Sequence, residues 1–203
     1  MEINFIFALI VLVMSVVVHE VAHGYSADLL GDPTARLEGR LTLNPLKHID
    51  PLGSIIIPLI TFFSGGIIFG WAKPVPFNPY NLANRKWGEA VIALAGPLSN
   101  IGIALFFGII FRYGAATGGI SHGFAEISVL IIFTNIALAV FNLIPIPPLD
   151  GSKILFSLLP YRYGYIREWI ERYSLVLILV LLFFLWRSIA PIIPWLFRVV
   201  TGV

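Results

Sequence analysis

The chain has 203 residues, 58% of them hydrophobic and only 12% charged, with no Cys and a mean hydropathy of +0.91. Soluble domains carry roughly 25% charged residues, so half that fraction cannot cover a water-facing surface, and the solvent must be largely lipid. The net charge of +2, from 13 basic and 11 acidic residues scattered along the chain, forms no basic block that would track phosphates, which argues against DNA and RNA as partners. Without Cys, a disulfide framework, a thiolate nucleophile and a Cys-ligated zinc site are excluded. Any metal must be held by His and carboxylate.

In chain order, four stretches have the length and apolarity to span a bilayer core of about 30 Å: residues 3–27, 88–111, 127–149 and 173–200. The first leads into His19 and Glu20 rather than into a small-residue cleavage site, so it reads as a spanning helix and not a signal peptide. The last is interrupted by Arg187, Pro191 and Pro194, and reads either as one long tilted helix or as a span plus an interfacial piece. A fifth apolar stretch, 51–71, contains Pro58 and carries Ser64-Gly65-Gly66 between Ile- and Phe-rich runs. Its length allows another transmembrane helix, but paired glycines between such runs also signal a hairpin, tolerated at membrane depth where other protein covers it. Arg36, Arg40 and Lys47 precede this stretch, and Lys73, Arg85 and Lys86 follow it. Positive loops prefer the cytoplasmic side, so both ends are expected on one face, with a re-entrant hairpin around residues 52–71 that enters and leaves without crossing.

The other loops fit the same orientation. Residues 111–126 carry one basic side chain, Arg112, whereas 151–172 carry Lys153, Arg162, Arg167 and Arg172. The first loop is expected outside and the second inside, with the N-terminus outside. The expected fold is an all-α polytopic membrane protein of four to five transmembrane helices plus the hairpin. It forms one domain over residues 1–203, with a core at 3–155 and a C-terminal membrane segment at 173–200.

The first span contains His19-Glu20-Val21-Ala22-His23 after sixteen uncharged residues. Histidines at i and i+4 share one helical face, which lets both imidazoles reach one metal while the adjacent Glu reaches its water. An ionisable side chain in a spanning helix costs about 2.5 kcal/mol or more, and three within five residues point to function. A catalytic zinc needs a third protein ligand and an open position. The candidates are His48, His122, Asp28, Asp32, Asp50 and Asp150, of which Asp150 stands out by position. It follows Asn142-Leu143-Ile144-Pro145-Ile146-Pro147-Pro148-Leu149 at the end of a span, where prolines break the helix. If 51–71 does not cross, the spans starting at 3 and 127 run the same way, and Asp150 ends on the face where His19 and His23 lie.

These residues, with Gly31-Asp32-Pro33, Asn44-Pro45-Leu46-Lys47-His48-Ile49-Asp50-Pro51 and Gly96-Pro97-Leu98-Ser99-Asn100, resemble the site-2 protease family of intramembrane zinc metalloproteases. The likeness runs from about residue 10 to residue 155 and is greatest to the compact prokaryotic members. It implies one Zn2+ per chain on His19, His23 and Asp150, Glu20 as catalytic acid/base, and a transmembrane protein substrate cut within or near the bilayer. It also implies that Asn142 lies near the metal and helps hold substrate or the developing oxyanion. A multi-pass cytoplasmic-membrane protein with its site toward the cytoplasm is expected.

Other residues weigh differently. Gly96-Pro97 and Asn100 suit close helix packing better than substrate contact; His48 and Asp50 suit a hydrogen-bonded turn better than a metal or gating role; and His122 is expected in solvent. Trp71, Trp87, Trp169, Trp186 and Trp195 fall near span ends as an interfacial belt. A metal-ion or proton-coupled transporter is one rival, since intramembrane His and carboxylate mark ion pathways, but the chain shows no repeated half. A catalytically silent membrane scaffold is the other, although every residue that hydrolysis requires is present.

Overall fold

The computed structural model describes residues 5–57, 59, 60, 63 and 73–202. Among them all regular structure is helical: α1 (Phe5–Leu29), α2 (Thr34–Leu37), α3 (Arg85–Thr117), α4 (His122–Asn142), α5 (Asp150–Leu158), α6 (Gly164–Arg172), α7 (Ser174–Val180), α8 (Trp186–Ile189) and α9 (Ile192–Thr201). Phe5–Leu29, Trp87–Thr117 and His122–Asn142 are long and apolar enough to cross a membrane, and a fourth span results if the pair Gly164–Arg172 and Ser174–Ile189, bent by 68°, counts as one.

Helix ends follow local chemistry. Asn44, Asp50 and Asn78 each precede a proline and accept a backbone N–H two or three residues on, opening short helical turns at Pro45–Lys47, Pro51–Ile56 and Pro79–Asn81, where proline fits the first helical position. Asn84 caps α3 in the same way and Ser121 caps α4. The third span closes at Asn142 rather than at residue 149, because Pro145, Pro147 and Pro148 remove the N–H groups a continuing helix needs. The fourth is broken by the bend at Tyr173 and again before Ile192, where Pro191 precedes α9.

The expected hairpin needs correction in its first arm. Residues 51–57, 59, 60 and 63 are helical rather than extended; Asp50 caps this turn by accepting the Gly53 N–H at 2.9 Å. Pro58, the Gly65-Gly66 turn and the arm through Trp71 lie outside the described residues. The ends of the stretch do meet, since the Lys73 N–H donates to the His48 carbonyl at 2.8 Å. Arg40 Nη2 adds a bond to the Lys73 carbonyl at 2.8 Å.

Packing sets the helix directions. Ser15 lies against Asn100 and His23 against Ile92, so α1 and α3 run antiparallel. Asn135 meets Asn100, and Ile132 packs with Ala104, so α4 is antiparallel to α3 and parallel to α1. Helix α9 joins this bundle, with Ile193, Phe197 and Val200 against Ala104, Ile132 and Ile136. Leu181 covers the proline-rich connection by packing on Ile144 and Leu149. Trp186 is turned edge-on to Phe141, with ring centroids 6.1 Å apart, whereas Trp87, Trp169 and Trp195 are exposed.

Asp32 ties the end of α1 to the approach to α3. Fully buried, its carboxylate accepts from the Asn78 N–H at 2.6 Å, Asn81 Nδ2 at 2.7 Å and the Thr34 hydroxyl at 2.5 Å. Burial raises its pKa, but the bonds from Thr34, Asn81 and Asn78 outweigh that and hold it below the usual carboxylate range. A depressed native pKa contributes stability that is complete above the unfolded value of about 3.9 and is lost as the pH falls through the native value. In detergent, Asp32→Asn should therefore lower the thermal midpoint at neutral pH, and the gap to the wild type should close below about pH 4; a gap independent of pH would contradict this role.

Candidate metal centre

The two histidines of α1 are held from behind before they meet in front. His19 Nδ1 lies 2.6 Å from Asn100 Oδ1 and His23 Nδ1 lies 2.6 Å from the Ile92 carbonyl oxygen. Oxygen can only accept in both places, so each Nδ1 carries its proton and each Nε2 presents a lone pair. Those Nε2 atoms are 3.0 Å apart, and each is 3.1 Å from the same carboxylate oxygen, Asp150 Oδ2. All three residues are buried. Three acceptors converging on one point repel unless a cation binds them, and two imidazole nitrogens with one carboxylate oxygen match the three-ligand sets of catalytic zinc sites. The donor atoms lie within 4.8 Å of one another, so the residues fit a single ion.

Space for that arrangement depends on Gly96. A Cβ there would sit 2.5 Å from both Nε2 atoms, inside the ligand cluster. Glycine within a helix costs about 1 kcal/mol against alanine, and here it lets α3 pass directly beneath the imidazoles. The packing role expected for Gly96-Pro97 is thus packing against the ligands themselves.

Asp150 arrives by a different device. The connection after α4 turns back and opens α5, whose first residue is Asp150. A side chain at Gly151 would drive into the Leu143 and Ile144 carbonyl oxygens, so the glycine allows α5 to start close against the end of α4. Burial opposes ionisation of Asp150, while the charge of Lys153 favours it. Lys153 Nζ is 3.3 Å from Oδ1, the oxygen turned away from the histidines.

Glu20 is the adjacent residue on α1 and stands outside the ligand set. Its Oε2 accepts the Val75 N–H at 2.9 Å, so the segment that follows residue 73 touches it directly. Asn100 is brought into the site as the partner of His19. Of the other expected residues, Asn142 Nδ2 donates to the Leu138 carbonyl one turn back in α4, and His48 is buried with Nε2 donating to the Thr42 carbonyl at 2.8 Å. Asp50 caps its own turn, and His122 is exposed beside Glu126. Sequence reasoning missed Asn135 and Ser15, which hydrogen-bond behind the ligands. An isolated amide in an otherwise apolar span was the available signal for Asn135; nothing in the sequence marks Val75.

A bundle of membrane-length helices around a buried centre of two imidazoles and one carboxylate defines a metal-binding membrane protein. Comparison with known proteins narrows the class. The family model described as "Peptidase family M50" matches residues 114–185. The Bacillus subtilis (strain 168) protein named "Putative zinc metalloprotease YwhC" is 37% identical over 180 residues, covering 86% of this chain and 79% of that protein. "Putative zinc metalloprotease Rip2" of Mycolicibacterium smegmatis is 31% identical over 70% of this chain and 53% of its own length. "Zinc metalloprotease MJ0392" of Methanocaldococcus jannaschii is 28% identical over 78% of this chain and 36% of its own length. No solved structure matches. The chain belongs to peptidase family M50, the site-2 protease family.

The glycine under the ligands gives a direct check. Gly96→Ala should weaken zinc binding at least about tenfold, the scale of a disturbed ligand shell, as read by chelator competition on purified protein. Gly102→Ala, where an added Cβ meets nothing within 4 Å, should leave binding unchanged; equal behaviour of the two variants would contradict the packing described.

Proposed function

We propose that this chain is a zinc endopeptidase that cuts transmembrane segments of membrane proteins within or near the bilayer. The observation that supports it best is the convergence of His19 Nε2, His23 Nε2 and Asp150 Oδ2, with a further carboxylate, Glu20, next to the ligands in sequence and outside their set. Membership of a peptidase family favours hydrolysis over metal transport. In this reading His19, His23 and Asp150 hold the ion, and zinc so held supplies Lewis acidity that activates water and polarises the scissile carbonyl.

The chain's own groups do the rest. Glu20 takes a proton from the attacking water as its oxygen bonds to the carbonyl carbon, then gives it to the amine nitrogen as the C–N bond breaks. The Val75 N–H keeps that carboxylate from swinging away from the reacting centre. Asn142, at the end of α4, supplies a donor for substrate or for the developing negative charge after releasing the Leu138 carbonyl. A peptide bond in a helix is shielded, so the substrate must be drawn out as extended chain. The stretch from 51 to 71 and the proline-rich connection before Asp150 are the two places from which that could be done.

The parallel course of α1 and α4 supports a site at one end of the bundle, toward the cytoplasmic face by the bias of basic loops. The N-terminus then lies outside, and the path for water is short. The membrane in question is the cytoplasmic membrane, crossed several times. The C-terminal segment packs on α3 and α4, which supports treating residues 1–203 as one unit.

Purified wild type and Glu20→Gln should each hold about one zinc per chain, while Asp150→Ala should lose most of it, because a three-ligand site cannot spare a ligand. Reconstituted in liposomes with single-span membrane proteins, the wild type should release fragments that Glu20→Gln does not. A cleaving Glu20→Gln protein would overturn the assignment of Glu20.

A further inference from the structure

We propose that Asn135, which bonds to none of the ligands, fixes the tautomer of His19 through Asn100, making a two-amide relay across α1, α3 and α4. The inference rests on the metal reading above and concerns Asn135, to which no role has been given.

The relay follows from donors and acceptors alone. Asn135 Nδ2 lies 2.9 Å from the Ile131 carbonyl oxygen and 2.9 Å from Ser15 Oγ. A carbonyl only accepts, so the NH2 of Asn135 must face that way and its Oδ1 must face Asn100. Asn100 can then present only its own NH2, and Asn100 Nδ2 is 2.8 Å from Asn135 Oδ1 and 3.3 Å from the Ser15 carbonyl, another pure acceptor. With its NH2 committed, Asn100 turns Oδ1 to His19 Nδ1 at 2.6 Å. That oxygen accepts the Nδ1 proton, and the Nε2 lone pair is left to face Asp150.

Both amides are fully buried, and Ser15 is buried beside them, so no water can substitute for a lost partner. A flipped Asn100 would point a donor at Nδ1, forcing the proton to Nε2, where it would occupy the ligand position. Asn100 cannot prevent its own flip. The Asn135 amide, anchored by the carbonyl of Ile131 on its own helix, holds the Asn100 NH2 at 2.8 Å, a closer hold than that of the Ser15 carbonyl at 3.3 Å. His23 needs no such relay, because its Nδ1 meets a backbone carbonyl directly. Asn100 and Asn135 are thus positioning residues, and their readout is metal affinity and imidazole tautomer rather than chemistry.

The test separates this role from simple packing. Asn135→Leu frees Asn100 to flip and should lower zinc affinity about 10- to 100-fold, although it lies behind Asn100. Adding Asn100→Asp should restore affinity in the double variant, since a carboxylate has two acceptor oxygens and no wrong face. Zinc affinity is measured by chelator competition on purified protein, with helical circular dichroism as the check on assembly. Independently of zinc, nitrogen-15 spectra of histidine-labelled, metal-free protein at about pH 9, where imidazole is neutral, should show His19 as the Nδ1–H form in the wild type. Asn135→Leu should give a mixture, and the double variant should return to the Nδ1–H form. An Nε2–H wild type, wild-type affinity in Asn135→Leu, or a double variant as weak as Asn135→Leu would each overturn the relay. A wild type that shows the Nδ1–H form yet binds no zinc would instead overturn the metal reading.

Discussion

Two imidazole lone pairs and a carboxylate oxygen within about 3 Å of one another, buried in a membrane bundle, form an arrangement that only a cation makes favourable. Much of the fold can be understood as the means of reaching it. The pair on α1 needs only one helical turn, but the third acceptor lies 127 residues after His23, on an element that must finish at the same end of the bundle. That requires α1 and α4 to be parallel, with α3 returning between them. Among the described residues of the chain from 30 to 84, Lys73 bonds to His48 and Asp32 is bonded by Thr34, Asn78 and Asn81, so the approach to α3 lies beside the end of α1.

The polar groups behind the ligands are placed so that each has a defined partner. In lipid an unsatisfied donor or acceptor costs several kcal/mol, which makes a hydrogen bond chosen there hard to exchange for another. The backing of His19 by Asn100 and of His23 by the Ile92 carbonyl exploits this: each bond settles which ring nitrogen is free. Glycine performs the complementary task. Gly96 removes a side chain that would fill the ligand cluster from α3, and Gly151 removes the one that would hold α5 away from the end of α4.

The legible part of this protein is its periodicity and its charges. Sixteen uncharged residues leading into His19-Glu20-Val21-Ala22-His23 announce both a span and a metal site, and the basic loops on either side of 51–71 suggest the parallel course of the first and third spans that brings Asp150 into reach. Boundaries are less legible where proline acts at a distance: the third span stops at Asn142, before the first proline, because the missing N–H groups are those that would bond back to preceding carbonyls. The Ile and Phe content of the stretch from 51 suggests an extended first arm, but the Asp50-Pro51 cap starts a helix that composition alone does not reveal. Asn100 reads as packing in the sequence and proves to be a partner of a ligand. Asn135 goes unread because the identity of its partner depends on how three helices align, and Val75 because a backbone N–H leaves no trace in a residue type.

The central claim is that one zinc ion sits between two imidazoles and the Asp150 carboxylate. X-ray absorption at the zinc edge of the purified protein measures that shell directly. The account predicts a four-coordinate site of two imidazole nitrogens and light oxygen ligands at about 2.0–2.2 Å, with an oxygen lost or replaced by solvent at a longer distance in Asp150→Asn. A shell without imidazole scattering, or one unchanged by Asp150→Asn, would contradict it.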